Sequence, residues 1–535
     1  LIESYNNDLE WEVLQEPIII DRIKPNKYIP KNSVNIVIER NDSYQITATL
    51  TAIQENVLLA KKDIEYYNHF YNESPGSCLE PFNIKGKDQN GSRVELRNCF
   101  VTKINSQVKC DSPEKIVTLH IIIDEIKVEK NNDSEVSYLS EWYLNGPRRI
   151  RYPKRTVRFP ENGSEKVSRK RVDVDILHDD ALKLCFENFE RSSIPQMSCD
   201  YALIELDNMK FIIAEVPNNF VPIWSKKICI EYRKEFGPIP DDETREAISE
   251  IVSFALGTQL LNVGFTEYTL DGQILTSLAE SSWERAYSRF TCENIQLSPV
   301  KLGTRGSINN QEQIEELISG LVPKYLDLRD KLNLRDALWR YWISINMPIG
   351  TNLPVLSSAL EIIMKAWFDS ENSRSKGFYL SKKEFNKLIK ESLKNIEQKF
   401  DEYIENKIEK LEPDKKDSLE IHEIIELKNT IIGKVRNSNK KSLTKQYQAF
   451  FQEIGLNIGS FESGALTARH PMAHGDKGNK GNNEEFEEMR INTYAYQTLF
   501  HRVFLKILGY EGKYVDRSVI GFPEKHIDSL LGDHK

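Results

Sequence analysis

Near its C-terminal end the chain carries Arg469-His470-Pro471-Met472-Ala473-His474-Gly475, an arginine and a histidine five residues apart with a second histidine directly after the arginine. Histidine exchanges protons near neutral pH, and arginine is a permanently charged bidentate ligand for phosphate. Metal-free cleavage of an RNA backbone asks for this combination. The 2′-hydroxyl must lose a proton, the departing 5′-oxygen must gain one, and the charge on the phosphorane oxygens must be neutralised. Spacing alone is weak evidence, because 26 arginines and nine histidines in 535 residues give such a pair by chance roughly 0.4 times.

Proline fixes its own φ and disfavours helix at the residue before it, so Pro471 is expected to open a helical turn with His470 at its cap. Arg469 then belongs to the entering loop and His474 lies one turn in. Gly475 and the run 476–483, with Gly478 and Gly481, end the turn at once. The flanking segments read as helices. Leu443–Leu456 precedes the motif. A final helix begins with Glu484-Glu485-Phe486-Glu487-Glu488, acid at the positive helix end, and stops at Gly509. Tyr494, Gln497 and His501 on that helix are candidates to face the motif, or to be packing residues.

The strand pattern disappears after about residue 311. Leu334–Met347 and Pro354–Phe368 have helical periodicity, and Ser381-Lys382-Lys383-Glu384 is a capping box. The box opens a long helix with Phe385, Leu388, Ile389, Leu393, Ile396, Phe400, Ile404, Ile408 and Leu411 on one stripe, and Ser418–Val435 follows. Residues 311–535 are therefore expected to be an all-α bundle with long helices inserted at about 370–440.

The first 235 residues read mainly as strand. Val34–Glu39 and Tyr44–Leu50 flank the turn-forming Arg40-Asn41-Asp42-Ser43, Lys115–Glu129 is rich in Ile and Val, and Tyr201–Leu206 turns at Asp207-Asn208 into Met209–Val216. Asp241-Asp242-Glu243 caps a helix, and Asp271-Gly272 joins two strands in an expected type I′ hairpin. This second piece, 236–310, is read as the end of the first half or as a small connecting helix and hairpin, with 298–310 as the linker.

Inside the β-rich part lies the most basic stretch of the chain: Arg148, Arg149, Arg151, Lys154, Arg155 and Arg158, continuing through Lys166, Arg169, Lys170 and Arg171. Tyr152 and Phe159 are interleaved with the charges. The stretch is either a phosphate-tracking strip or a solvated loop balancing an acidic domain.

Charged residues make up 29% and aromatics 10% of the chain, as in folded globular proteins. Its net charge of −9 lies wholly before residue 311, since residues 311–535 hold 34 basic and 34 acidic side chains. An acidic protein is not a general nucleic-acid binder, so any RNA contact must be local. Seven scattered cysteines argue for reduced thiols, with no disulfide framework or zinc site. No run approaches a membrane span, and the first residues lack a signal-peptide pattern. A cytoplasmic protein without metal or cofactor is expected.

A helical C-terminal domain with four residues between Arg469 and His474, a polar residue after the arginine, Ala473-His474-Gly475 at the end and a closing amphipathic helix resembles the HEPN ribonucleases. Ser358-Ala359-Leu360-Glu361 on an early helix and Phe500-His501-Arg502 with Leu508-Gly509-Tyr510 on the last one carry the same likeness. A β-rich N-terminal part before such a domain is similar to the layout of the ApeA-type antiphage proteins. The resemblance implies that His474 transfers protons, Arg469 holds the phosphate, and His470 takes a polar slot often filled by Asn. It further implies a composite site made by two protomers in a homodimer or higher oligomer, a 2′,3′-cyclic phosphate product, host RNA such as tRNA as substrate, and an N-terminal domain that senses a phage-derived trigger. Two other readings stay open. The chain could be a catalytically silent HEPN-like scaffold that binds RNA or a partner protein, or Arg469 and His474 could simply tie down a loop, with Arg469 paired to Glu462 or Asp476.

Overall fold

The structure is a computed structural model. It describes residues 14–532 apart from 15, 27, 42–44, 55–80, 109–114, 132–133, 148–149, 161–165, 176–183, 186–195, 217–227, 282–296, 304–312, 371–372, 374–376, 410–418 and 474–482. The chain forms two compact units, Leu1–Leu326 and Asp327–Lys535. Strands dominate the first and helices the second, so the chain is an α+β multidomain protein.

The first unit starts with β1 (Ile18–Ile23), β2 (Ser33–Arg40), β3 (Ile46–Gln54), β4 (Phe82–Asp88), β5 (Arg93–Val108) and β6 (Lys115–Glu129). They pair antiparallel in the order β6-β3-β2-β1-β4-β5, and β5 pairs again with β6 to close a six-stranded barrel. Side chains alternate across a strand, which explains why Ile36 and Ile38, Ala48, Leu50 and Ala52, and Leu119, Ile121 and Ile123 are buried at every second position. Closure pairs the two outer strands of the barrel with each other, and the edge of β6 beyond Ile123 is left for another strand.

Nine further strands extend from the barrel: β7 (Tyr138–Tyr143), β8 (Lys154–Pro160), β9 (Lys166–Arg171), β10 (Leu184–Cys185), β11 (Gln196–Glu205), β12 (Lys210–Glu215), β13 (Ile228–Arg233), β14 (Asn262–Tyr268) and β15 (Ile274–Glu280). Their order is β10-β9-β8-β11-β12-β13-β7-β14-β15, and β15 pairs with β6. β3 pairs with β6 up to Ile123, and β15 takes over the same edge from Glu125. Ser281 joins the handover: its Oγ accepts from Ile46 N–H at 2.9 Å and donates to Ile123 O at 2.7 Å.

Residues 236–310 are thus not a separate connector, because β14 and β15 lie in mid-sheet between β7 and β6. Their turn also differs from the expected type I′. Thr269 and Gln273 bond to each other, leaving a three-residue loop with Gly272 at φ 83°, because one more residue suits a type I turn closed by a left-handed glycine. Helix α1 (Asp242–Leu256) begins as expected at Asp241, whose carboxylate accepts from Thr244 N–H at 2.8 Å. It ends at Gly257, φ 71°, where a Cβ would lie 1.9 Å from Ser298 N. That contact shows why the start of the expected linker is no linker: Ser298, Val300 and Leu302 are buried, and Ser298 Oγ donates to Ala255 O and Val300 O.

Helix α2 (Gln313–Leu328) leads to the second unit, which contains α3 (Leu334–Asn346), α4 (Leu353–Asp369), α5 (Lys382–Glu409), α6 (Leu419–Asn437), α7 (Leu443–Glu453), α8 (Ser460–Ala473) and α9 (Asn483–Ile507). The unit is not all-α. After α9, β16 (Lys513–Val515) and β17 (Glu524–His526) pair antiparallel, too short for periodicity to announce them. The capping box forms as expected, with Ser381 N–H and Oγ donating to Glu384 and Glu384 N–H donating to Ser381 Oγ. Among the described residues, no helix is long and apolar enough to cross a membrane.

Candidate functional site

Arg469 and His470 lie in the last turns of α8, a 14-residue helix that runs through Pro471 to Ala473. The expected entering loop and proline-started turn are therefore corrected: Pro471 continues a helix begun at Ser460. Having no N–H, Pro471 cannot donate to the Thr467 carbonyl four residues back, so the last turn of α8 gives up one ladder bond. His474 lies outside the described residues, as do the side chains of Arg469 and His470.

Burial and charge hold the start of α8. Glu462 and Arg502 of α9 form a fully buried ion pair at 2.9 Å. Glu462 also accepts from Leu531 N–H at 2.8 Å and Gly459 N–H at 2.9 Å. Arg502 donates to Ile527 O and Asn457 O and lies 5.2 Å over the Tyr514 ring. Every strong acceptor or donor of the pair thus has a partner, the condition under which a buried pair is tolerated. The loop-fixing alternative pairs the Glu462 carboxylate with Arg469, whose side chain lies outside the described residues. Nothing local in the sequence signalled the Glu462–Arg502 pair. A charged residue on the apolar face of α9 was the available hint, and its partner lies 40 residues away.

From Glu462, seven residues or about two turns lead to Arg469. Ala465 and Leu466 are buried on the way, and Leu466 and Thr467 line a groove with Leu443, Tyr447 and Ile458. On α9, Gln497 and His501 are buried, while Tyr494 is half-buried with Arg490 5.8 Å from its ring. His501 Nε2 shares a hydrogen bond with Tyr341 Oη, and the Tyr341 ring stacks on Phe500 at 4.6 Å. Burial, reinforced by the Arg517 charge, pushes the His501 imidazole well below its ordinary range, so the ring is neutral and links α9 to α3. Of the early-helix residues, Ala359 and Leu360 are buried, and Glu361 accepts from Ser357 Oγ at 3.3 Å and pairs with Lys365.

The basic stretch of the first unit meets acid at several points. Lys154 lies 3.9 Å from Glu315, and Arg155 pairs with Asp173 at 3.1 Å. Arg151 donates to Cys199 Sγ at 3.4 Å. Arg171 is buried against Glu231, which also pairs with Arg233. Burial alone would raise Glu231, but the two guanidiniums hold it at about 2. Arg148 and Arg149 and the side chain of Arg158 lie outside the described residues.

Compared with models of known families, with curated proteins and with solved structures, the chain matches none.

Proposed function

We propose that the chain is a metal-independent endoribonuclease of HEPN type, resembling the ApeA-type antiphage proteins, that cuts host RNA such as tRNA. In this reading His474 transfers protons, Arg469 holds the scissile phosphate and His470 orients them, with a second copy completing the site. The N-terminal unit answers a phage-derived trigger in the cytoplasm. One observation carries the reading: Arg469 and His470 stand on the final turns of a helix whose other end is fixed by the buried Glu462–Arg502 pair. A fixed helix end holds reacting groups in one geometry, which proton transfer to a phosphate ester requires. The scaffold alternative, which needs free cations along the basic stretch, gains nothing from the acidic partners of Lys154 and Arg155.

The test is cleavage of single-stranded RNA and tRNA by the purified chain in a chelator. His474→Ala is expected to lower the rate roughly 10²–10⁴-fold, and the wild-type product to end in a 2′,3′-cyclic phosphate. Cleavage undiminished in His474→Ala would overturn the assignment.

A further inference from the structure

Helices α5 and α6 form an antiparallel arm, with ion pairs running from Lys407–Glu420 near the tip through Asp401–Lys428 to Glu397–Arg436. Its root is fastened by Asn439, which accepts from Tyr379 and Leu380 N–H and donates to Leu380 O. Along its length of about 42 Å, at 1.5 Å per residue, the arm has almost no interior. None of the 28 residues of α5 is buried, and α6 buries only Ile421 and Ile432. Leu388, Tyr403, Leu419 and Leu427 are 69%, 54%, 76% and 51% exposed. Two helices without a third layer are marginal, so this apolar surface calls for a cover.

The charges say which cover fits. Residues 382–399 and 428–441, the root, hold eleven Lys and Arg against three Asp and Glu. Residues 400–409 and 419–427, toward the tip, hold seven acids against one lysine. Pairing α5 with α6 inside one arm therefore sets like charges side by side at both ends. The cross-helix pairs consume minority charges, Lys407 at the tip and Glu397 at the root. Helix stability does not explain the pattern either, because α5 has lysines at its positive end and acids at its negative end, against its own dipole.

We infer that the arm is a self-association surface: two copies lay their arms antiparallel, root against tip, in a four-helix bundle about a two-fold axis near Ile396, the middle of α5. Each basic root then faces an acidic tip, and the exposed Leu388 and Tyr403 surfaces are covered. A two-fold contact is self-complementary by construction, as this charge order is. The inference does not rest on the cleavage reading.

The test uses the whole chain, with sedimentation for mass and amide hydrogen exchange of 382–437 to report on the arm itself. Arm protection of the wild type is expected to rise with concentration and fall with salt. An acidic-arm variant (Lys383→Glu, Lys387→Glu, Lys390→Glu, Lys434→Glu) and a basic-arm variant (Glu405→Lys, Glu409→Lys, Glu423→Lys, Glu426→Lys) should each lose association more than about tenfold. Mixing the two should restore it, and so should all eight changes in one chain. Arm exchange independent of concentration in the wild type would overturn the inference. Variants that associate like the wild type, or a mixture that gains no protection, would do the same, even if the arm then proved to bind a polyanion or another protein. RNA cleavage that persists in variants whose arms have separated would leave the inference standing and set it apart from the cleavage reading.

Discussion

The second unit treats charge in two opposite ways. At α8 and α9 it buries Glu462 and Arg502 and gives each its full set of partners. Along α5 and α6 it spreads cations at one end and acids at the other, at the surface and mostly beside their own kind. Buried paired charge fixes one geometry, because each group left alone would be costly. Surface segregated charge forms a few exposed pairs within one chain, such as Asp401–Lys428, and otherwise selects what approaches it. The motif helix is therefore built for internal order and the arm for external contact.

Removing one buried partner should break this contrast most strongly. Arg502→Met leaves Glu462 charged in the interior and uncovers Ile527 O and Asn457 O, and should cost about 3–5 kcal/mol in denaturant unfolding of the helical unit. Replacing Glu462 by Met as well should recover part of that loss.

Acid should separate the two units. His501 is held neutral in the fold, so its contribution is complete above the unfolded value near 6.5 and is lost as pH falls below it. Glu280 goes the other way. Burial first, then the nearby Glu125 and Glu141 charges, push it to about 7, so its stabilising contribution is full below the ordinary carboxylate value and is lost as pH rises through 7. Over that window the β unit should lose on the order of 2–3 kcal/mol, which Glu280→Gln abolishes, while the helical unit gains. Hydrogen exchange at pH 5 and 8, read unit by unit, measures both.

Smaller effects sharpen the picture of the arm. Ser381→Ala removes the capping box and should cost about 1 kcal/mol, seen as faster exchange in the first turn of α5. Leu388→Ala should change the stability of the isolated chain by less than about 0.5 kcal/mol and register only as weaker concentration-dependent protection.

Local chemistry was legible in the sequence. The Asp241 cap, the Ser381–Glu384 box and the alternation of Ile36 and Ile38 each involve neighbours a few residues apart, and each formed as its residue types require. What escaped depends on distant partners. The β5–β6 closure, the insertion of β14 and β15 into mid-sheet and the Glu462–Arg502 pair have no local signature. Pro471 was misread because proline favours the first turn of a helix, whereas here it falls in the last turn of one already begun at Ser460, with Glu462, Ala465 and Leu466 buried. Of the motif, the sequence yielded the residues and the structure yielded the helix that carries two of them.

Ser281 at the meeting of β3, β6 and β15 has a consequence in time. β6 is synthesised with both barrel neighbours already made, so the barrel can close as soon as residue 129 is available. The edge that β15 fills must wait for roughly another 150 residues of chain. During that interval the far half of β6 presents an unpaired edge to whatever is near. The last strand thus closes a kinetic window as well as a gap in the sheet, and the slow, non-local pairing of β15 should set the folding rate of the first unit.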